Sequence, residues 1–298
     1  MGVMRDGLVV VDKPAAWTSH DVVARLRKVY GQRRVGHAGT LDPDATGVLL
    51  VGLGRVTRLL KYLQGTAKEY RGTVRLGVAT STLDAAGDVL DRTPMTVTRA
   101  QVEEAAARFV GDIEQVPPMV SALKVGGRRL HELARSGVEV ERAPRRVRID
   151  TLTVEAFEPG PYPAAQIRVV CSSGTYVRTL AADLGVALGG PAHLERLRRL
   201  RVGSLTLDEA HDLDGIAADP DAALLTPLEA MRDLERVDVD AEQARAVRHG
   251  ATFTAAALAV SGDGPFAVVD PGGDLLAVYE RRGPGLKPSV VVAAPVAA

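Results

Sequence analysis

A single cysteine, Cys171, occurs in the 298 residues, which excludes an intramolecular disulfide and any cysteine-rich zinc site. Aromatics are scarce, at 4%, so each one inside a motif carries information. Net charge is absent as well: 37 Lys+Arg stand against 37 Asp+Glu, which leaves no room for a polybasic tail. Long apolar runs are missing. Gly7 to Val11 is too short for the apolar region of a secretory signal and runs straight into Asp12-Lys13-Pro14. The Val-rich stretch from Ser289 to Ala298 is broken by Pro295 and falls far below the ~18 apolar residues of a membrane span. These absences predict a cytoplasmic protein with a reduced thiol and no membrane partner. What remains, 46% hydrophobic and 25% charged, is ordinary for a globular protein and excludes a collagen-like or wholly disordered chain. The length suggests about two domains.

Several chemistries are excluded by missing motifs. No two of the histidines His20, His37, His131, His193, His211 and His249 are spaced i, i+4, so no metal is expected. There is no phosphate-binding Gly-x4-Gly-Lys-Ser/Thr loop, and Gly52-Leu53-Gly54 lacks the third glycine of a dinucleotide loop, so nothing asks for ATP or NAD. No Gly-x-Ser-x-Gly elbow is present, and Cys171, in an apolar strand, reads as core.

Charge is unevenly spread despite its zero sum. From Lys124 to Arg148 there are eight basic residues against three acidic ones, a net of +5. Arg196, Arg198, Arg199 and Arg201 cluster beside Glu195, whereas Asp208 to Asp240 is acidic. Such segregation fits either a polyanion-binding face or a solvated charged surface.

The periodicity predicts a buried strand at Gly7–Val11 and a helix capped by Thr18 and Asp21, with Val22, Val23, Leu26 and Val29 inward. Gly31–Gly47 reads as loop and Val48–Leu53 as an apolar run. Tyr70–Leu76 alternates as a half-buried strand. Thr98 and Gln101 open a helix with Val102, Ala106, Phe109 and Val110 on one face. Pro117–Pro144 reads as a basic insert around Gly126-Gly127. Strands are expected at Val147–Phe157 and Gln166–Cys171, a helix at Thr175–Leu188, and a short Arg-rich element at His193–Leu200. Asp208–Pro227 looks like a linker. Beyond it come a helix capped by Asp240 and a hairpin, Phe266–Val269 with Leu275–Tyr279. Scattered strands with few helices favour an α+β fold, with a mixed, largely antiparallel sheet, over a doubly wound one.

Three constellations carry chemistry. In Gly36-His37-Ala38-Gly39-Thr40-Leu41-Asp42-Pro43-Asp44-Ala45-Thr46-Gly47, glycines and small residues allow sharp turns and close ligand approach. Pro43 disfavours α conformation at Asp42, which is either a turn cap or a functional carboxylate. In Gly174-Thr175-Tyr176-Val177-Arg178, Arg178 stands at a helix N-terminus, where the dipole disfavours a cation and calls for a carboxylate partner. A bidentate pair with Asp42 would keep that carboxylate ionised and oriented, and a structural pair with another acid is the alternative. Tyr70, in Lys68-Glu69-Tyr70, either packs on the sheet or stacks on an extruded base.

In this order the pieces resemble the bacterial TruB-type tRNA pseudouridine-55 synthase family, together with Asp12-Lys13-Pro14, Val116-Pro117-Pro118-Met119-Val120-Ser121-Ala122-Leu123-Lys124 and Leu197-Arg198-Arg199-Leu200. The resemblance runs from Gly7 to about Val202. Where the family often shows Thr-Asp-Thr before Asp-Ala-x-Gly, this chain has Thr80-Ser81-Thr82 and then Leu83-Asp84-Ala85-Ala86-Gly87. The resemblance implies a catalytic domain over 1–230 with a central RNA-binding cleft, its insert 117–148 contacting RNA. It also implies a small β-rich, PUA-like RNA-binding domain over 237–298. The implied activity is isomerisation of a T-loop uridine of tRNA (position 55) to pseudouridine by base flipping, without a cofactor, by an isomerase that could also assist tRNA folding. By motif match Asp42 is the nucleophile and Arg178 its partner. His37 lies against the remodelled loop, Tyr70 stacks on the flipped uracil, and Tyr176 and Leu197 line its pocket. The implied partner is the tRNA T-arm, and a monomer is the default. Alternatives are a guide-dependent or ribosomal-RNA synthase and a non-catalytic tRNA-folding factor.

Overall fold

A computed structural model describes residues 4–120, 124–125, 128–129 and 140–293. The chain begins with strand β1 (Gly7–Lys13), helix α1 (Ser19–Val29), and strands β2 (Val35–Ala38) and β3 (Thr46–Leu53). Helix α2 (Leu60–Gln64) leads to β4 (Lys68–Leu76) and the hairpin β5 (Val78–Thr80) and β6 (Val89–Arg92). Helix α3 (Arg99–Ala107) and β7 (Gly111–Gln115) follow, then a two-stranded ribbon, β8 (Lys124–Val125) with β9 (Arg128–Arg129). Next come the long strand β10 (Arg145–Glu158), β11 (Ala164–Cys171), helix α4 (Val177–Ala187), β12 (Ala192–Val202), β13 (Leu205–Thr206) and β14 (Leu224–Leu225).

Ten of these strands form one sheet, ordered β14-β1-β3-β12-β4-β11-β10-β7, with β2 on β3 and β13 on β12. Every pairing is antiparallel except β3 with β12, and that one spans only Arg198 opposite Thr46 and Arg199 opposite Gly47. The sheet is therefore two antiparallel halves joined at a narrow parallel seam. Gly47 makes the seam possible: its φ is +96°, and a Cβ there would stand 2.2 Å from the Arg199 carbonyl oxygen.

Burial explains the sequence patterns. In β1, Val9 and Val11 enter the core beneath α1, while Leu8 and Val10 face a second core shared with the C-terminal sheet. Strands covered on both faces read as unbroken apolar runs. In β4, Tyr70, Val74 and Leu76 join the first core, whereas Arg71 stays exposed and pairs with Glu155. Glu69 and Thr73, on the same face as Arg71, are nonetheless buried, so the alternation shows in residue type rather than in burial. The C-terminal sheet, β15 (Glu235–Asp238), β16 (Phe253–Thr254), β17 (Phe266–Val269), β18 (Leu275–Arg282) and β19 (Gly285–Val291), is ordered β15-β17-β18-β19-β16 and contains the expected hairpin.

Four expectations need correction. The segment read as loop contains β2, a four-residue strand too short and too mixed to show a period. His193–Leu200 belongs to the eleven-residue strand β12, in the middle of the sheet. Helix α3 ends at Ala107, so Phe109 and the exposed Val110 lie beyond it. The acidic stretch 208–227 is not a loose linker: it forms helix α5 (Leu213–Ala218), Leu213, Ile216 and Ala223 fill the first core, and Leu224–Leu225 adds a strand to β1. Of the basic insert, only the short ribbon and its flanks fall within the described residues; Arg135, Gly126 and Gly127 lie outside them.

Candidate active site

The loop between β2 and β3 carries Asp42, and it is bracketed on both sides. Ser19, at the start of α1, accepts from the Leu41 amide and donates to the Leu41 carbonyl, at 3.0 and 3.1 Å. Lys13, at the end of β1, is fully buried and donates from Nζ to the carbonyls of Pro43, Pro14 and Trp17. The capping box of Thr18 and Asp21 fixes α1 at this point. The β1–α1 corner thus holds the backbone immediately before and after Asp42.

Arg178 arrives from the first turn of α4. Its guanidinium is 5% exposed and meets Asp42 side-on, Nε 3.1 Å from Oδ2 and Nη2 3.2 Å from Oδ1. Nη1 stands 3.2 Å from Asp84 Oδ2 and donates to the Thr82 carbonyl at 3.2 Å, while Nη2 also donates to the Val120 carbonyl at 2.9 Å. A guanidinium has five N–H donors in a fixed fork, and every nitrogen here is engaged. The alternatives left open by the sequence resolve to the Asp42–Arg178 pair, with Asp84 as a second carboxylate on the same cation. Sequence reading did not place Asp84 there; its loop is pinned to β12 by bonds between the Ala85 amide and the Leu194 carbonyl and between the Leu194 amide and the Leu83 carbonyl.

Orientation agrees with expectation, but the charge balance differs. Burial pushes the Asp42 carboxyl above its ordinary range, Arg178 pulls it down, and Asp84 adds to the rise; the net direction is up. The carboxylate is surrounded by protein yet leaves 43% of its side chain open, because it faces a cavity. Arg178 therefore holds the charge against an enclosure that disfavours it.

That cavity, about 370 Å³, lies at the seam of the sheet and is lined by His37, Asp42, Tyr70, Tyr176, Arg178 and Leu197. All six residues singled out from the sequence meet there. Tyr70 is buried, directly opposite Arg199 in the β4–β12 register, and Leu197 is half-buried on β12. Tyr176 caps α4 and is fixed by Gln115, whose amide exchanges bonds with the Tyr176 amide and carbonyl at 3.0 and 3.3 Å. His37 comes from β2; its Nδ1 is buried without a partner among the described residues. Burial first, and then Arg199, lower its pKa, so the ring is neutral near pH 7.

Two further wall residues were not foreseen. Lys68 and Arg199 also line the cavity; both stand inside motifs singled out from the sequence, but their place in the wall follows from register: Lys68 is two residues from Tyr70 on one strand, and Arg199 two from Leu197 on the next. Cys171, opposite Lys68 on β11, is fully buried and its thiol is pushed up to about 11 by burial, in keeping with a core role. Among the described residues no group of His, Cys, Asp and Glu is arranged to hold a metal ion, and no helix is long and apolar enough to cross a membrane.

Comparison with known proteins places this geometry in context. Residues 27–177 match the model of the TruB family pseudouridylate synthase N-terminal domain. Residues 178–232 match the tRNA pseudouridylate synthase B C-terminal domain, and 234–293 match the tRNA pseudouridine synthase II C-terminal model. The chain is 48% identical over 291 residues to tRNA pseudouridine synthase B of Mycobacterium sp. (strain KMS), covering 97% of this chain and 96% of that one. It is 46% identical over 300 residues to tRNA pseudouridine synthase B of Thermobifida fusca (strain YX), covering 97% and 99%. Among solved structures it resembles a chain of the Cbf5-Nop10-Gar1 complex with a TM-score of 0.75 at 24% identity, covering 97% of this chain and 85% of that one, a likeness of fold.

Proposed function

The chain belongs to the TruB family of pseudouridylate synthases, and on that footing we propose that it converts one uridine in the T-loop of tRNA, position 55, to pseudouridine, with Asp42 as the reacting carboxylate. The family isomerises uridine to pseudouridine in tRNA, and this chain is an enzyme of that kind. The observation that carries the site assignment is the Asp42 carboxylate, gripped side-on by a buried guanidinium and open to a cavity of about 370 Å³, within the size range of small-ligand sites.

The reaction breaks the C1′–N1 bond, turns the base and joins C1′ to C5. Asp42 serves it by forming a covalent intermediate, which divides one hard step into two, or by first removing a sugar proton; either route needs an ionised, oriented carboxylate beside the nucleoside. Tyr70 stacks on the base, Tyr176 and Leu197 hold its flanks, and neutral His37 lies against the displaced loop. No cofactor enters.

Extruding a base from a folded loop costs a few kcal/mol, which contacts to the rest of the RNA must offset. In this reading residues 1–230 carry the chemistry, and their basic insert, 117–148, grips phosphates of the T-arm. Residues 237–298 act as a PUA-like RNA-binding domain. The same grip would let the protein assist tRNA folding, and a single cytoplasmic chain supplies every group the reaction needs. Incubating the purified protein with an unmodified tRNA transcript and mapping pseudouridine tests the proposal. One new pseudouridine in the T-loop is expected; modification elsewhere, or none, would overturn it.

A further inference from the structure

We propose that Lys68 and Arg199 form a cationic floor that stabilises the uracil ring as an anion after the C1′–N1 bond has broken. The inference rests on the pseudouridine synthase reading and extends it to residues that reading leaves idle.

Both side chains are buried, Lys68 at 6% and Arg199 at 1% exposure, and both line the cavity that holds Asp42. Among the described residues neither forms an ion pair. Lys68 donates from Nζ to the carbonyls of Gln64 and Thr66. Arg199 donates to the carbonyls of Val48, at 2.6 Å, and Gly39, at 3.1 Å. Buried charges are normally paired, because desolvation is costly and carbonyl dipoles only partly offset it. Burial lowers the Lys68 pKa, and repulsion from Arg199 on the same wall lowers it further, to about 8. The third ammonium hydrogen of Lys68 has no protein partner among the described residues. Such an arrangement is costly in the empty enzyme and becomes favourable when negative charge enters the cavity.

The carboxylates lie elsewhere in the site. Asp42 and Asp84 share the single cation Arg178, whereas Lys68 and Arg199 flank Tyr70, one on its own strand and one opposite it on β12. The charged or titratable groups facing Lys68 from neighbouring elements are Arg199 and the protonated thiol of Cys171. The site is therefore polarised, with its acids where the sugar reacts and its free cations where the base stacks.

The chemistry supplies a matching anion. When the C1′–N1 bond breaks, its electron pair leaves with N1, and the detached ring is a uracil anion with charge spread over N1 and the two carbonyl oxygens. C1′ is left electron-deficient, as an oxocarbenium ion or as an ester to the Asp42 carboxylate; a pair from C5 then forms the C1′–C5 bond, filling that deficiency or displacing the carboxylate, after which the C5 proton is lost and N1 takes one up. No oxidant or co-reactant is needed. Fixed positive charges facing the ring act where charge develops, without reorganisation at the moment of reaction.

The test uses the full-length protein with a tRNA transcript, comparing wild type, Lys68→Met and Lys68→Arg for single-turnover pseudouridine formation and for RNA affinity across salt. Lys68→Met is expected to slow the chemical step on the order of 100-fold, with RNA affinity within about threefold and an unchanged salt slope. Lys68→Arg is expected to recover at least a tenth of the wild-type rate. If Lys68→Met instead weakens RNA binding, flattens the salt slope and leaves the bound-state rate intact, the cation meets a phosphate and the proposal is wrong. Equal rates for Met and wild type would also refute it, as would a Lys68→Arg variant that folds yet is as slow as Met. Should Met fail to fold, Lys68→Arg alone decides between a charge and a packing role: recovery supports the proposal and its absence refutes it. Wild-type protein that forms no pseudouridine at all would overturn the underlying function rather than this detail of it.

Discussion

Replacing Arg178 with lysine keeps the positive charge and removes the fork. The guanidinium reaches Asp42 through two nitrogens, Asp84 through a third, and the carbonyls of Thr82 and Val120. An ammonium carries three donors, so at least two of these five interactions are lost, and the two carboxylates compete for what remains. With a charge-assisted bond worth about 1.5–3 kcal/mol, the loss should be roughly 3 kcal/mol, near the lower bound for breaking a buried pair. For a chain of this size that corresponds to a fall in melting temperature of about 5 °C. The rate should fall on the order of 100-fold, because the carboxylate is no longer held in place. A purely structural role would stop there. If Arg178 also sets the charge of Asp42, a single ammonium shared between Asp42 and Asp84 opposes the effect of burial less well than the fork did, and the acid limb of the rate profile moves to higher pH. Single-turnover pseudouridine formation from pH 5 to 8, beside thermal unfolding, reads both effects. A folded Arg178→Lys variant with an unshifted acid limb and a rate within threefold of wild type would refute the reasoning.

Other consequences follow from the same geometry. Lys68 and Lys13 are each lowered by burial to about 8 from 10.5, so the folded chain binds their protons less tightly than the unfolded one. Their charged forms cost stability below pH 8, and the cost is relieved as pH rises toward 10.5. Denaturant unfolding of wild type against Lys68→Met should therefore shift in favour of wild type by up to about 3 kcal/mol between pH 7.5 and 10.5; a constant difference would contradict it. Gly47→Ala drives a methyl into the Arg199 carbonyl at a left-handed backbone position, so it should destabilise the fold by several kcal/mol and abolish activity with it; near-normal unfolding would show that the seam can open freely. Replacing Arg128, Arg129 and Arg145 with Ala should flatten the dependence of RNA affinity on salt by about three contacts; an unchanged slope would exclude the basic insert from RNA binding.

Much of this was legible in the sequence because local rules and tertiary demands agree. Thr18 with Asp21 and Thr98 with Gln101 form the capping boxes that their spacing suggested, and Asp240 caps its helix as expected. That Arg178 needs a carboxylate was readable from its place where the helix dipole opposes a cation; that Asp42 is that carboxylate came from the family resemblance, and the second acid, Asp84, did not show. What escaped notice depended on partners distant in the chain. Strand β12 hides behind its arginines because Arg198 and Arg201 turn outward to Asp12 and Glu69, while Arg199 turns inward. The acidic connection looked loose because Asp and Ala dominate it, yet Ile216 and Leu213 suffice to anchor it in the core. Lys68 and Arg199 became a pair only through sheet register.

The most direct test of the account is Asp42→Asn, measured by tritium release from 5-tritiated uridine in a tRNA transcript. The substitution preserves shape and an acceptor for Arg178, and it removes a carboxylate whose burial opposes its charge, so folding and RNA binding should be retained. The expected result is bound RNA with no tritium released. Release at a rate near that of wild type would show that the carboxylate at the seam is not the group that does the chemistry.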